Sequence, residues 1–178
     1  MNIPVDIQYL NSLLFDACRK DMNYEHLGLS ADVAAIISSF SDSSKILQEL
    51  KIPLIQAKHS GIKFWRTILS FEASDTENQT LLTSSPASQI NKTFINILHP
   101  WALYDRALAE AIFCVDKDVS LLLSNATLAE IDRIAGQKES IFKVIGSDDK
   151  RLWQELSMEG AAKTSAINIY LTMQLGRH

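Results

Sequence analysis

The segment Asp116-Lys-Asp-Val-Ser-Leu-Leu-Leu-Ser-Asn-Ala-Thr-Leu-Ala-Glu-Ile-Asp-Arg-Ile-Ala135 reads as two short helices separated by a turn. Asp116 is a natural N-cap for a helix over 117–123, and Ser124-Asn125-Ala126 makes a tight turn. Thr127-Leu-Ala-Glu130 fits the capping box: the Thr hydroxyl can accept from the Glu backbone N–H while the Glu carboxylate reaches back to the Thr N–H. Leu128, Ile131 and Ile134 are expected to point inward, with Gly136 stopping the helix. A sharply started second helix a few residues after the first predicts a helix-turn-helix-like segment over 116–135. An ordinary hairpin in a helical domain accommodates the same residues.

Outward from this segment the pattern stays helical. Residues 94–98 are apolar, and Pro100 interrupts or restarts the helix. Residues 101–113 then carry a stripe of Leu103, Ala107, Leu108, Ala111 and Ile112, and 160–175 read as a last helix. Upstream, Ile7, Leu10, Leu13, Leu14, Ala17 and Cys18 recur at three- and four-residue steps, giving one apolar stripe. Gly28 follows as a stop, Ser30 caps 31–40, and a short helix with Ile46, Leu47 and Leu50 ends before Pro53. Residues 73–92, rich in Ser, Thr, Asn and Gln, read as a linker or loop. The expected organisation is therefore all-α, with related helical units at 1–72 and 93–178. At an offset of 86, Asp32-Val33 falls on Asp118-Val119 and Ser38 on Ser124, and Trp65 falls on Trp153 after a slip of two residues. Both tryptophans are expected as core anchors rather than ligand platforms.

The bulk numbers exclude several classes. With 47% hydrophobic and 21% charged residues, six Gly and four Pro, the 178-residue chain has ordinary globular composition and little turn punctuation. No basic leader or long apolar run is visible, so a cytoplasmic protein without a membrane span is expected. Cys18 and Cys114 make no disulfide framework. The four histidines are scattered, no glycine-rich phosphate loop or Gly-x-Ser-x-Gly elbow occurs, and Asp148-Asp149 reads as a cap for the Trp153 helix. Neither enzymatic activity, a cofactor nor a metal is expected. The net charge of −4 implies that any grip on nucleic acid uses a local patch, an oligomer or a partner, because phosphate neutralisation supplies most of such affinity.

In helix-turn-helix DNA readers the start of the second helix enters the major groove. Here the exposed positions would be Ala129, Glu130, Asp132 and Arg133, an acidic face. Lys117, Arg133, Lys138 and Lys143 are the candidate phosphate contacts, followed by Lys150-Arg151, with Asn125 and Thr127 as neutral donors at the turn. Solvated surface charge is the alternative for each lysine.

Leu10-Asn-Ser-Leu-Leu-Phe-Asp-Ala-Cys-Arg and His26-Leu-Gly-Leu-Ser-Ala-Asp-Val resemble the opening of the FlhD family of bacterial flagellar regulators. The segment Phe113-Cys-Val-Asp through Ile134-Ala135, followed by Ser140-Ile-Phe-Lys-Val, is similar to that family's hairpin and the short apolar segment after it. The resemblance covers residues 7–55 and 103–144. It implies transcriptional regulation within a larger complex, since FlhD-type proteins are helical dimers acting with an FlhC-type partner that carries a four-cysteine zinc site. Relatives of the pair activate transfer genes on conjugative elements. With two cysteines this chain cannot make that zinc site, so it looks like a tandem FlhD-like protein or a zinc-less relative of the partner. The expected function is a DNA-binding transcriptional regulator, an activator if it follows the family, working as an oligomer or with a second subunit on promoter DNA. The alternative is a helical module that binds protein only, through Glu130 and Asp132.

Overall fold

Apolar residues at helical spacing make α1, Ile3–Arg19, which buries Ile7, Leu10, Leu14, Phe15, Ala17 and Cys18. The computed structural model describes residues 3–19, 24–40, 50, 52–70 and 86–157. After a 3-10 turn at Tyr24–Leu27, Gly28 adopts φ +71, a conformation open to glycine at little cost. The Ser30 side chain accepts from the Val33 N–H and starts α2, Ala31–Ser38. Then come β1, Ile55–Ala57, and α3, Ile62–Ser70. Four helices follow: α4, Pro86–Tyr104; α5, Arg106–Phe113; α6, Lys117–Ser124; and α7, Leu128–Ala135. The described chain closes with β2, Phe142–Val144, and α8, Lys150–Ser157.

The protein is predominantly helical, as the sequence leads one to expect. The three-residue strands are an addition. Lys58 N–H donates to the Ile141 carbonyl and Ile145 N–H to that of Leu54, so residue numbers rise along one strand as they fall along the other. β1 and β2 are therefore antiparallel. The helix expected around Ile46 and Leu47 and the one expected over 160–175 lie outside the described residues.

Four local expectations are corrected. Of the stripe expected over 101–113, Leu103, Ala107 and Ala111 are exposed, because the chain restarts at Asp105 and α5 buries Ala109 and Phe113 instead. Residues 86–92, read as linker, are the first two turns of α4. That helix runs through Pro100, and the break falls five residues later. Asp105, at φ −147, accepts from the Leu108 N–H at 3.0 Å and so starts α5 afresh. Pro100 is tolerated because it deprives only the exposed Asn96 of a helical donor. Leu128, expected inside, is 77% exposed, since the Thr127 cap turns the first residue of α7 outward while Ile131 and Ile134 are buried.

The chain divides into two compact units, one of residues Met1–Gln56 with Lys143–His178 and the other of Ala57–Phe142. This division differs from the one expected at 73–92, because the helix before that stretch packs on helices after it. α3 packs on α6 and α7, whereas α8 packs on α2.

In the first unit Phe15 stands 5.4 Å from Phe40 and edge-on to Trp153 at 6.3 Å. Trp153 is fully buried, and its Nε1–H donates to the Gly146 carbonyl at 2.7 Å. In the second unit Phe113 meets Phe94 and Trp101 edge-on at 5.7 and 5.6 Å. Trp65, also fully buried, donates from Nε1 to the His59 carbonyl at 2.8 Å.

Each unit also uses one buried asparagine in the same way. Asn11 accepts the Leu54 N–H at 2.7 Å and donates to the Ile52 carbonyl at 3.1 Å. Asn91 accepts the Ile141 N–H at 3.0 Å and donates to the carbonyls of Glu139 at 2.9 Å and Gln137 at 3.0 Å. In both cases the side chain satisfies the backbone immediately before a strand.

Candidate nucleic-acid interface

The α6–α7 hairpin forms as the sequence reads it, although the Asp116 side chain makes no cap bond at the start of α6. At α7 both arms of the capping box are present. Glu130 N–H donates to Thr127 Oγ1 at 3.3 Å, and Thr127 N–H donates to Glu130 Oε2 at 2.7 Å. The carboxylate accepts from both the Thr127 N–H and the Thr127 hydroxyl, which favours its ionised form, so Glu130 titrates below its ordinary value. Val119 and Leu123 from α6, with Ile131 and Ile134 from α7, bury the inner faces.

The bonds made by the candidate contacts sort them. Arg133 is half-buried, and its Nη1–H donates to the Leu69 carbonyl at 2.7 Å, near the end of α3. The guanidinium thus completes a helix C-terminus, where carbonyls lack helical donors. Asn125 is exposed, but its Nδ2–H donates to the Leu121 carbonyl at 2.8 Å. Thr127 is engaged in the capping box. Lys117 and Lys138 are exposed and make no ion pair among the described residues. These five belong to the second unit, whereas Lys143 lies in β2 and belongs to the first. Around the turn, Leu121 and Leu128 are exposed apolar groups beside the acidic Asp132.

A second feature of the same unit escaped sequence reasoning. Asp116 N–H donates to the Ser60 carbonyl at 3.0 Å, which places the head of α6 against the loop before α3. Beside it runs an open groove of about 570 Å³ lined by Lys58, His59, Ser60, Lys63, Phe64 and Thr67. The His59 and Phe64 rings stack with centroids 4.2 Å apart. The available signal was Lys58-His59 and Lys63 flanking a short loop, with no acidic residue from 57 to 70.

Among the described residues, no group of three or more His, Cys, Asp or Glu could hold a metal ion, and no helix is long and apolar enough to cross a membrane. Cys18 is buried, and burial pushes its thiol up to about 12. No family model, curated protein or solved structure matches the chain.

Proposed function

We propose that the protein is a cytoplasmic transcriptional regulator of the FlhD-like kind, acting by binding promoter DNA as an oligomer or with a second subunit rather than by catalysis. The observation that carries this reading is the α6–α7 hairpin: two short helices, a three-residue connection over 125–127, and a second helix whose start the Thr127–Glu130 box fixes. Exposed Lys117 and Lys138 supply phosphate donors on the same unit. The net charge of −4 gives a reason for a partner, because long-range attraction to DNA is weak for such a chain. A promoter fragment from the protein's own locus should be retained by the chain, alone or with the adjacent gene product, and affinity should fall steeply with salt. Absence of retention in both cases overturns the reading.

A second reading is favoured by a different observation. Leu128 stands 77% exposed at the tip of the hairpin with Leu121 beside the turn, and Arg133 is committed to Leu69. A face that is apolar and acidic suits a protein better than a phosphate backbone. On this reading the hairpin docks the partner, and Leu128→Ser breaks complex formation while leaving the fold intact.

A further inference from the structure

We propose that the groove at the head of α3, with Lys58 and Lys63 as its charges, is where the second unit grips the DNA phosphate backbone. The proposal rests on the reading of the chain as a DNA-bound regulator and moves the electrostatic contact from the face of α7 to the loop before α3.

Charge supports it first. Lys58 and Lys63 are exposed on the groove, and neither forms an ion pair among the described residues. Arg66 is exposed one turn along α3, and Lys117 follows the Asp116 that bonds Ser60. The neighbouring acid is Asp116, whose Oδ2 would lie 3.8 Å from a Cβ at Gly61.

The first unit shows that this charge is not a requirement of the fold. There Ser30 N–H donates to the Ser147 carbonyl at 2.9 Å, the counterpart of Asp116 donating to Ser60, and Trp153 donates to Gly146 as Trp65 does to His59. These hydrogen bonds are alike and the side chains around them are not. That junction carries Asp148 and Asp149, Lys150 pairs with Asp32 at 3.0 Å, and Arg151 pairs with Glu155 at 3.0 Å. Lys150 and Arg151 are thus paired at that junction, whereas Lys58 and Lys63 form no ion pair among the described residues.

Rigidity is the second support. The loop is pinned by the buried Trp65 at the His59 carbonyl and by Asp116 at the Ser60 carbonyl, and His59 is stacked on Phe64. A pre-formed backbone lowers the ordering cost when phosphates are bound.

The test is fluorescence anisotropy of the full chain with a labelled duplex of about 30 base pairs, over roughly 50 to 200 mM salt. Lys58→Ala with Lys63→Ala should weaken binding about tenfold at low salt and reduce the salt slope by about two, one for each lost phosphate contact. Lys58→Glu with Lys63→Glu should abolish binding, whereas Lys92→Ala with Arg106→Ala, exposed cations of the same unit away from the groove, should leave it within about threefold. An unchanged melting temperature in each variant shows that surface charge alone was altered. Unaltered affinity and slope in both groove variants overturn the groove and leave the regulator reading standing. Failure of the wild-type chain to bind the duplex at low salt overturns the groove as the phosphate grip. The regulator reading is overturned only if the duplex is also not retained with the adjacent gene product.

Discussion

Asn91 Oδ1 accepts the Ile141 N–H at 3.0 Å across fifty residues of sequence, and both residues are buried. The Nδ2 group of the same side chain donates to Gln137 and Glu139, so one amide satisfies three backbone groups just before β2. Asn91→Ala should therefore destabilise the protein by about 1–3 kcal/mol, the usual cost of leaving a buried donor unmade. Asn91→Asp should do no better, because it keeps the acceptor but sets a carboxylate against two carbonyls. Asn11→Ala should behave similarly through Leu54. Chemical denaturation of the three variants checks this.

Gly146 sits at φ +64, and a Cβ there would come within 2.5 Å of Leu152 Cδ2 and 3.5 Å of Trp153 Nε1. Gly146→Ala combines an unfavourable backbone conformation with a clash against a buried leucine. A loss of about 1–3 kcal/mol is expected from overpacking, measured as a lowered unfolding midpoint.

The capping box gives a pH dependence with a definite sign. Glu130 has a lowered carboxyl pKa in the folded protein, chiefly because its carboxylate accepts from Thr127. Its contribution is fully present above the unfolded-state value and is lost as pH falls through the folded one. Protection of the Thr127 amide, its exchange relative to the intrinsic rate at each pH, should fall on acidification in the wild type and be less pH-sensitive in Glu130→Gln. Thr127→Ala should cost about 1 kcal/mol, as other lost N-caps do.

Cys18 is held as a neutral thiol by burial, with its pKa pushed up to about 12. Since the thiolate is the reactive form, iodoacetamide at about pH 8 should leave Cys18 unmodified in the native protein and alkylate it after unfolding. Mass spectrometry of the Cys18 peptide reads both states, and rapid native labelling would contradict the buried placement.

Arg133 separates a fold role from a DNA role. Its bond to Leu69 predicts that Arg133→Ala lowers the melting temperature while the salt slope of DNA binding stays within error. A reduced slope with unchanged stability would return Arg133 to the phosphate contacts.

The devices legible in the sequence are the local ones. Ser30 and the Thr127–Glu130 box act over three residues, the inward positions of Ile131 and Ile134 follow from helical period, and Trp153 is the core anchor its residue type suggests. What escaped depends on distant partners. Asn11 and Asn91 are polar residues within apolar stripes, and their value lies in backbone 41 to 50 residues away. Strands of three residues are too short to show a period of two. Pro100 looked like the break because proline disfavours helix interiors, but the sharper signal was Asp105. Arg133 looked like a free cation until α3 supplied the Leu69 carbonyl.

The most direct measurement is amide hydrogen exchange of the full chain with and without a duplex of about 30 base pairs at low salt, where phosphate attraction is strongest. DNA binding by the second unit predicts slowed exchange across residues 58–67 and the first turn of α6, with the first unit unchanged. Unchanged exchange throughout residues 57–142 would contradict it.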